Sequence, residues 1–116
     1  MTSIKGVLFL KNVDGEMEWV NGDSGNEVKY EGEIENGEPN GLGIMIYPSG
    51  SKYVGSWKNG KRHGKGQMSH TDTSSNWGEY KDGVFWNGNI YDKNGNIKVS
   101  QRSHLLSIIS LLHNLL

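Results

Sequence analysis

The sequence is 116 residues long with no cysteine, which suits one domain and excludes disulfides and thiolate metal or redox chemistry. Twelve Lys and Arg against 13 Asp and Glu give a net charge of −1, and a protein that tracks nucleic-acid phosphates would carry a marked basic excess. Glycine is abundant at 17, alanine is missing, and Leu, Ile, Val and Phe number only 18 before residue 105, so a helical bundle, a Rossmann-type α/β enzyme and a membrane-spanning protein fit poorly.

The body is expected instead to be a small β structure rich in glycine and aromatic residues. Its first residues, Met1–Gly6, show no basic region followed by a long apolar run and a cleavage site. The chain is therefore expected to be cytoplasmic, or peripheral at a membrane. Ile4–Leu10 is too short to span a bilayer, which takes about 20 apolar residues. Gly15 and Gly22 share a seven-residue spacing with Gly43 and Gly50. Residues 1–29 are accordingly expected to form an N-terminal hairpin or degenerate half-repeat.

A 23-residue repeat follows. Tyr30, Gly32, Ile34 and Gly37 recur as Tyr53, Gly55, Trp57 and Gly60, and again as Asn76, Gly78, Tyr80 and Gly83. The second halves repeat as well: Gly41, Gly43 and Met45 match Gly64, Gly66 and Met68, and a third copy shorter by one residue places Gly88 and Ile90 there. The expected units are 30–52, 53–75 and 76–97. Asn36-Gly37, Asn59-Gly60 and Asp82-Gly83 are hairpin-turn signals in identical register. Strands are expected near 29–35 and 42–47, with Pro48 to Gly50 turning into the next hairpin.

Strand alternation sorts these residues onto two faces. Tyr30, Ile34, Tyr53, Trp57 and Tyr80 fall on one, with Met45 and Met68 beside them, while Glu31, Glu33 and Glu35 fall on the other. Glycine between two large residues leaves space for a neighbouring ring to lie over the bare backbone.

The pattern running from Tyr53 through Gly55, Trp57, Gly60 and Gly64 to Gly66 resembles the MORN repeat (membrane occupation and recognition nexus). The resemblance covers residues 30 to about 97. The third copy departs from it, with Asn76 in place of the leading Tyr, as terminal repeats of arrays often do. The resemblance implies antiparallel hairpins in one long, twisted, curved sheet. It also implies an aromatic concave groove that holds helices or peptides, and, less directly, lipid binding. Where proteins of this kind are catalytic, an attached domain does the chemistry. The implied groove set is Tyr30, Ile34, Met45, Tyr53, Trp57, Met68 and Tyr80.

The tail is a segment of another kind. Asn94-Gly95 is expected to close the array, leaving residues 98–116 as a linker and an amphipathic helix started by a Ser100 or Ser103 cap. Leu105–Leu116 holds eight Leu and Ile residues, with Ser107, Ser110 and Asn114 clustered on the opposite side of a helical wheel. About 14 residues make roughly 20 Å of helix, comparable to four or five strands at about 4.8 Å each. Such a helix is marginal alone, so it is expected to pack on the sheet of its own chain or of a second copy, making residues 103–116 a route to a homo-oligomer. The aromatic groove is the favoured receiver, and the strip Leu42, Ile44 and Ile46 on the opposite face is the other.

Candidate chemistry is thin. His63, His70 and Asp72 lack a metal-ligand spacing, and no Gly-x-Ser-x-Gly elbow is present. Gly64-Lys65-Gly66 lacks the flanking spacing of a phosphate loop. Glu31, Glu33 and Glu35 read as a solvated face rather than paired acids across a cleft. No catalytic residue, metal or cofactor is expected. Charge is uneven, however. Residues 1–40 hold nine acids and three bases, whereas residues 51–66 hold Lys52, Lys58, Lys61, Arg62 and Lys65 and no acid. Lys58, Lys61, Arg62 and Lys65 around the Gly60 turn form a candidate contact for anionic lipid. The sequence thus points to an all-β scaffold or adaptor that binds a protein or helical peptide. A peripheral module binding anionic membrane lipid is the alternative, and nucleic acid is not an expected partner.

Overall fold

The computed structural model describes residues 4–22, 25 and 27–102. They form one antiparallel sheet of nine strands: β1 (Ile4–Val13), β2 (Glu16–Val20), β3 (Val28–Glu35), β4 (Glu38–Ile46), β5 (Lys52–Lys58), β6 (Lys61–Ser69), β7 (Ser75–Lys81), β8 (Val84–Tyr91) and β9 (Ile97–Arg102). Their order across the sheet is β2-β1-β3-β4-β5-β6-β7-β8-β9.

Two kinds of turn alternate along the array. Asn36-Gly37, Asn59-Gly60 and Asp82-Gly83 each place two successive residues at positive φ, between 49° and 87°, the signature of a two-residue hairpin turn matched to strand twist. Asp14-Gly15 between β1 and β2 does the same. The other turn is a five-residue loop that recurs at Tyr47–Ser51, His70–Ser74 and Asp92–Asn96. In each copy the first residue's N–H bonds the last residue's carbonyl, at 2.8–2.9 Å.

Glycines occupy the same level on seven adjacent strands: Gly6, Gly32, Gly43, Gly55, Gly66, Gly78 and Gly88 pair in succession from β1 to β8. The next row on the same face is Leu8, Tyr30, Met45, Tyr53, Met68, Asn76 and Ile90. Tyrosine rings from this row lie over the glycines. A Cβ on Gly43 would stand 2.2 Å from the Tyr30 phenolic oxygen, and one on Gly66 equally close to that of Tyr53. Each hydroxyl reaches on to its own strand, Tyr30 donating to the Glu33 carbonyl at 2.7 Å and Tyr53 to that of Ser56 at 2.9 Å. Those carbonyls sit where the pairing register shifts, between Gly32 and Ile34 and between Gly55 and Trp57. A bulge leaves a residue without a ladder partner, and the tyrosine hydroxyl supplies that partner. Tyrosine two residues before glycine therefore does three things at once: it packs, covers bare backbone and satisfies a carbonyl.

The core is the aromatic face. Leu8, Tyr30, Ile34, Met45, Tyr53, Trp57, Met68 and Tyr80 are buried there, with Trp19, Val28, Tyr47 and Phe85 packed around them. Edge-to-face ring contacts run from Trp19 through Trp57 and Tyr53 to Tyr80 and Phe85, with centroids 4.9–6.1 Å apart. Between β2 and β5 lie four strand spacings, about 19 Å in a flat sheet, yet the Trp19 and Trp57 rings are 6.1 Å apart. The sheet therefore curls toward its aromatic face, which is concave.

The structure adds detail at the N-terminal end and differs from the sequence expectations at the C-terminal end. The N-terminal segment is a hairpin, but its first strand lies beside β3 and its second forms the outer edge. The reason is visible in β1, where Gly6-Val7-Leu8 repeats the spacing of Gly43-Ile44-Met45 and offers Gly32 and Tyr30 the same partners. At the other end Asn94-Gly95 does not close the array. That turn feeds β9, so the segment from 98 begins as strand rather than linker. Ser100, one of the two residues considered as a helix cap, is a strand residue opposite Asn89, and its hydroxyl donates to Asn89 Oδ1 at 3.0 Å. The helix expected over about 103–116 lies outside the described residues.

Candidate partner-binding face

The curl makes a trough of about 380 Å³ on the concave face, over β4–β6 and beneath β2. Leu10, Met17, Trp19, Met45, Tyr47 and Trp57 line its apolar part, and Glu38, Lys61 and Arg62 stand at its polar part. Trp19 comes from the outermost strand and is fixed from below: its indole N–H donates to the Gly60 carbonyl at 3.3 Å. That carbonyl belongs to a turn held in place by its neighbour, because the Gly60 N–H donates to Pro39 O at 2.9 Å and the Asn59 N–H to Asn40 Oδ1 at 3.1 Å.

The next hairpin repeats the device with another residue type. The Gly83 N–H donates to Arg62 O at 2.8 Å, and the Asp82 N–H reaches His63 Nδ1 at 3.3 Å. His63 stands 23 residues after Asn40 and takes its place as acceptor, with Asp82 Oδ1 at 3.7 Å. Of the two histidines weighed for metal binding, His63 is thus a β6 residue that supports a turn, and His70 opens the His70–Ser74 loop, 3.3 Å from the Ser51 hydroxyl. Among the described residues no group of three or more His, Asp or Glu side chains is close enough together to hold a metal ion.

All seven residues of the sequence-derived groove set share the concave face, but most are core. Tyr30 and Tyr53 are fully buried and Tyr80 is 2% exposed; only Met45 and Trp57 of the set line the trough. Burial, with the charge of Glu33 beside it, pushes the Tyr30 phenol up to about 12. Burial also raises Tyr53, reinforced by Tyr80 and opposed by Arg62, and it raises Tyr80 against Arg62. The Trp57 indole N–H is buried with no hydrogen-bond partner among the described residues.

The four basic residues do not converge. The Arg62 guanidinium stacks 5.4 Å from the Tyr80 ring centre and 5.8 Å from that of Tyr53, and it donates to the Gly83 carbonyl at 2.6 Å. Lys58 and Lys61 are exposed across the Asn59-Gly60 turn. Lys65 alternates with Gly66 onto the convex face, opposite Glu79. Leu10, Met17, Trp19 and Tyr47 were absent from the sequence-derived set. The alternation of Met17 and Trp19 with Glu16 and Glu18 marks a strand with an apolar face. Its position over Trp57, however, depends on the curl of the whole sheet.

No helix among the described residues is long and apolar enough to cross a membrane. No curated protein matches the chain. The family model for the MORN repeat matches residues 30–52 and 53–75, the units that contain the two tyrosine-over-glycine hairpins. Repeats of this kind are binding modules, generally associated with protein or membrane-lipid interaction. Residues 30–75 are thus two successive MORN repeats.

Proposed function

We propose that the chain is a non-catalytic scaffold or adaptor module that binds a protein segment or helical peptide in the concave trough. The observation that carries this reading is the trough itself: an apolar pocket of about 380 Å³ with Trp19, Tyr47 and Trp57 in its lining and both charge signs beside them. Aromatic anchors surrounded by polar residues are the usual composition of an interface hot spot. The buried tyrosines act behind this surface as its support rather than as contacts.

The lipid reading rests on Lys58, Lys61, Arg62 and Lys65. Their distribution over two faces and the stacking of Arg62 on Tyr53 and Tyr80 favour the peptide reading.

The test is binding of display-selected helical peptides to the full chain and to two variants. Met17 is an exposed trough residue, and Met17→Lys should weaken binding at least about tenfold, the loss of one hot-spot contact. Lys65→Glu on the convex face should leave peptide affinity within about twofold. Affinity that ignores Met17→Lys, together with co-sedimentation on anionic vesicles that Lys65→Glu abolishes, would reverse the assignment.

A further inference from the structure

The convex face carries an apolar strip with no cover among the described residues, and charges flank it in a fixed order. Two rows cross six strands there, from β1 to β7. One is Val7, Glu31, Ile44, Val54, Gln67 and Trp77, each paired with the next. The row beside it is Lys5, Glu33, Leu42, Ser56, Lys65 and Glu79, in which Lys5 pairs with Glu33, Leu42 with Ser56 and Lys65 with Glu79. All alternate with the concave glycine row and so project from the other side. Exposure of the five apolar members runs from 38% at Ile44 to 64% at Leu42. Lys5, Lys65 and Glu79 form no salt bridge among the described residues.

Both rows are complementary to themselves read backwards. A second copy can be laid on this face about a two-fold axis parallel to the strands and passing between β4 and β5. Given the strand order, β4 then lies over the partner's β5, β3 over its β6 and β1 over its β7. Ile44 meets the partner's Val54, Val7 the partner's Trp77, and Glu31 the partner's Gln67. In the second row Glu33 meets the partner's Lys65 and Lys5 the partner's Glu79, while Leu42 sits over the partner's Ser56. Apolar thus faces apolar and each charge faces its opposite, and the symmetry makes every contact twice. Two sheets packed with their strands nearly aligned are a standard arrangement. Shifting the axis by half a strand spacing destroys the match. On β4 it would set Lys5 against the partner's Lys65, and on β5 it would set Glu33 against the partner's Glu79. Because the sheet bends away on either side, Ile44 and Val54 approach most closely, and the long side chains of Glu33 and Lys65 bridge the widening gap.

We infer that two copies of this chain associate through their convex faces, as an isologous dimer about an axis between β4 and β5. Two rows across six strands give a footprint of roughly 29 by 7 Å. That is at the low end of interface sizes, where association is weak and reversible. The concave troughs face outward on opposite sides of the dimer, so the inference does not depend on what they bind.

Sedimentation equilibrium of the full chain over a concentration series tests this. The average mass should rise from that of one chain toward that of two. Glu33→Lys and Lys65→Glu should each weaken association at least about tenfold, because each sets like charges together. An equimolar mixture of these two variants should associate to within about threefold of the unaltered chain, since every such contact in the mixed dimer again joins Lys to Glu. Glu33 also accepts from the Leu42 N–H at 2.8 Å. Lys5→Glu and Glu79→Lys therefore repeat the crossed design on a pair that leaves this bond intact. Recovery in either mixture supports the two-fold arrangement. A chain that stays monomeric throughout would overturn the inference, as would association that ignores all four changes, or mixtures that associate no better than their components in both designs.

Discussion

The ring of Tyr53 occupies the space that a side chain at position 66 would need: a Cβ there would lie 2.2 Å from the phenolic oxygen and 2.4 Å from its ring carbon. This residue pair links the repeat pattern to the fold, because it couples strand β5 to β6 through contact rather than through ladder hydrogen bonds alone. Gly66→Ala should cost about 2–3 kcal/mol in denaturant unfolding, the upper part of the range for overpacking. Gly95→Ala has open space around it but a φ of 85°, and should cost about 1 kcal/mol. The Gly66→Ala penalty should shrink in a Tyr53→Leu background, as a double-mutant cycle would read directly. Equal penalties with and without the ring would contradict the covering role.

Alkaline pH should unfold the protein through its buried phenols. Tyr30 is held up to about 12 by burial and by Glu33, and Tyr53 and Tyr80 are raised too. The unfolded chain releases these protons near pH 10, while the folded chain retains them. Their contribution to stability is therefore complete below about pH 10 and is lost as pH rises from there toward about 12. Absorbance at the phenolate band, followed with circular dichroism, should show these tyrosines ionising together with loss of the sheet. Full ionisation of all five tyrosines in a chain that stays folded would contradict their burial.

Trp19 ties the outer strand to the array by its contacts with Trp57 and Tyr30 and its bond to Gly60. Trp19→Ala should cost about 2–3 kcal/mol, somewhat less than truncation of a fully buried ring. Amide exchange should show the loss first in β1 and β2. Trp19→Phe should recover part of it by keeping a ring against Trp57. Protection unchanged in β2 would mean that the curl does not depend on this contact.

His63 and Asn40 are interchangeable in the role given to them, as acceptors for the N–H of the following turn. His63→Asn should be neutral within about 0.5 kcal/mol, whereas His63→Ala should lose about 1 kcal/mol, the usual net worth of such a bond. Thermal unfolding of the two variants separates them. Equal destabilisation by Asn and Ala would remove the acceptor role.

The repeat spacing and the turn dipeptides made most of the sheet legible in the sequence, because each hairpin is specified within about ten residues by Asn-Gly or Asp-Gly and by alternation. The face carrying Tyr30, Tyr53, Trp57 and Tyr80 was legible for the same reason. The placement of β1 between β2 and β3 was not, although Gly6 and Leu8 carried the signal. Sequential hairpins are the simpler reading, and only cross-strand register shows that β1 serves as a return strand. Ser100 was one of two cap candidates because the apolar tail follows it, yet it pairs with Asn89 on the edge of β8. The trough was the least legible feature. Trp19 meets Gly60 across 41 positions, and that contact exists only once four strands have curled.

The central claim is that a partner enters the concave trough while the convex face stays apart from it. The most direct measurement is a chemical-shift titration of the isotope-labelled full chain with a selected helical peptide. The account expects the largest changes at the Trp19 indole N–H, Met17, Tyr47 and Lys61, with Leu42, Ile44, Val54 and Trp77 unmoved. Changes centred on those four convex residues, with Trp19 and Tyr47 silent, would contradict it.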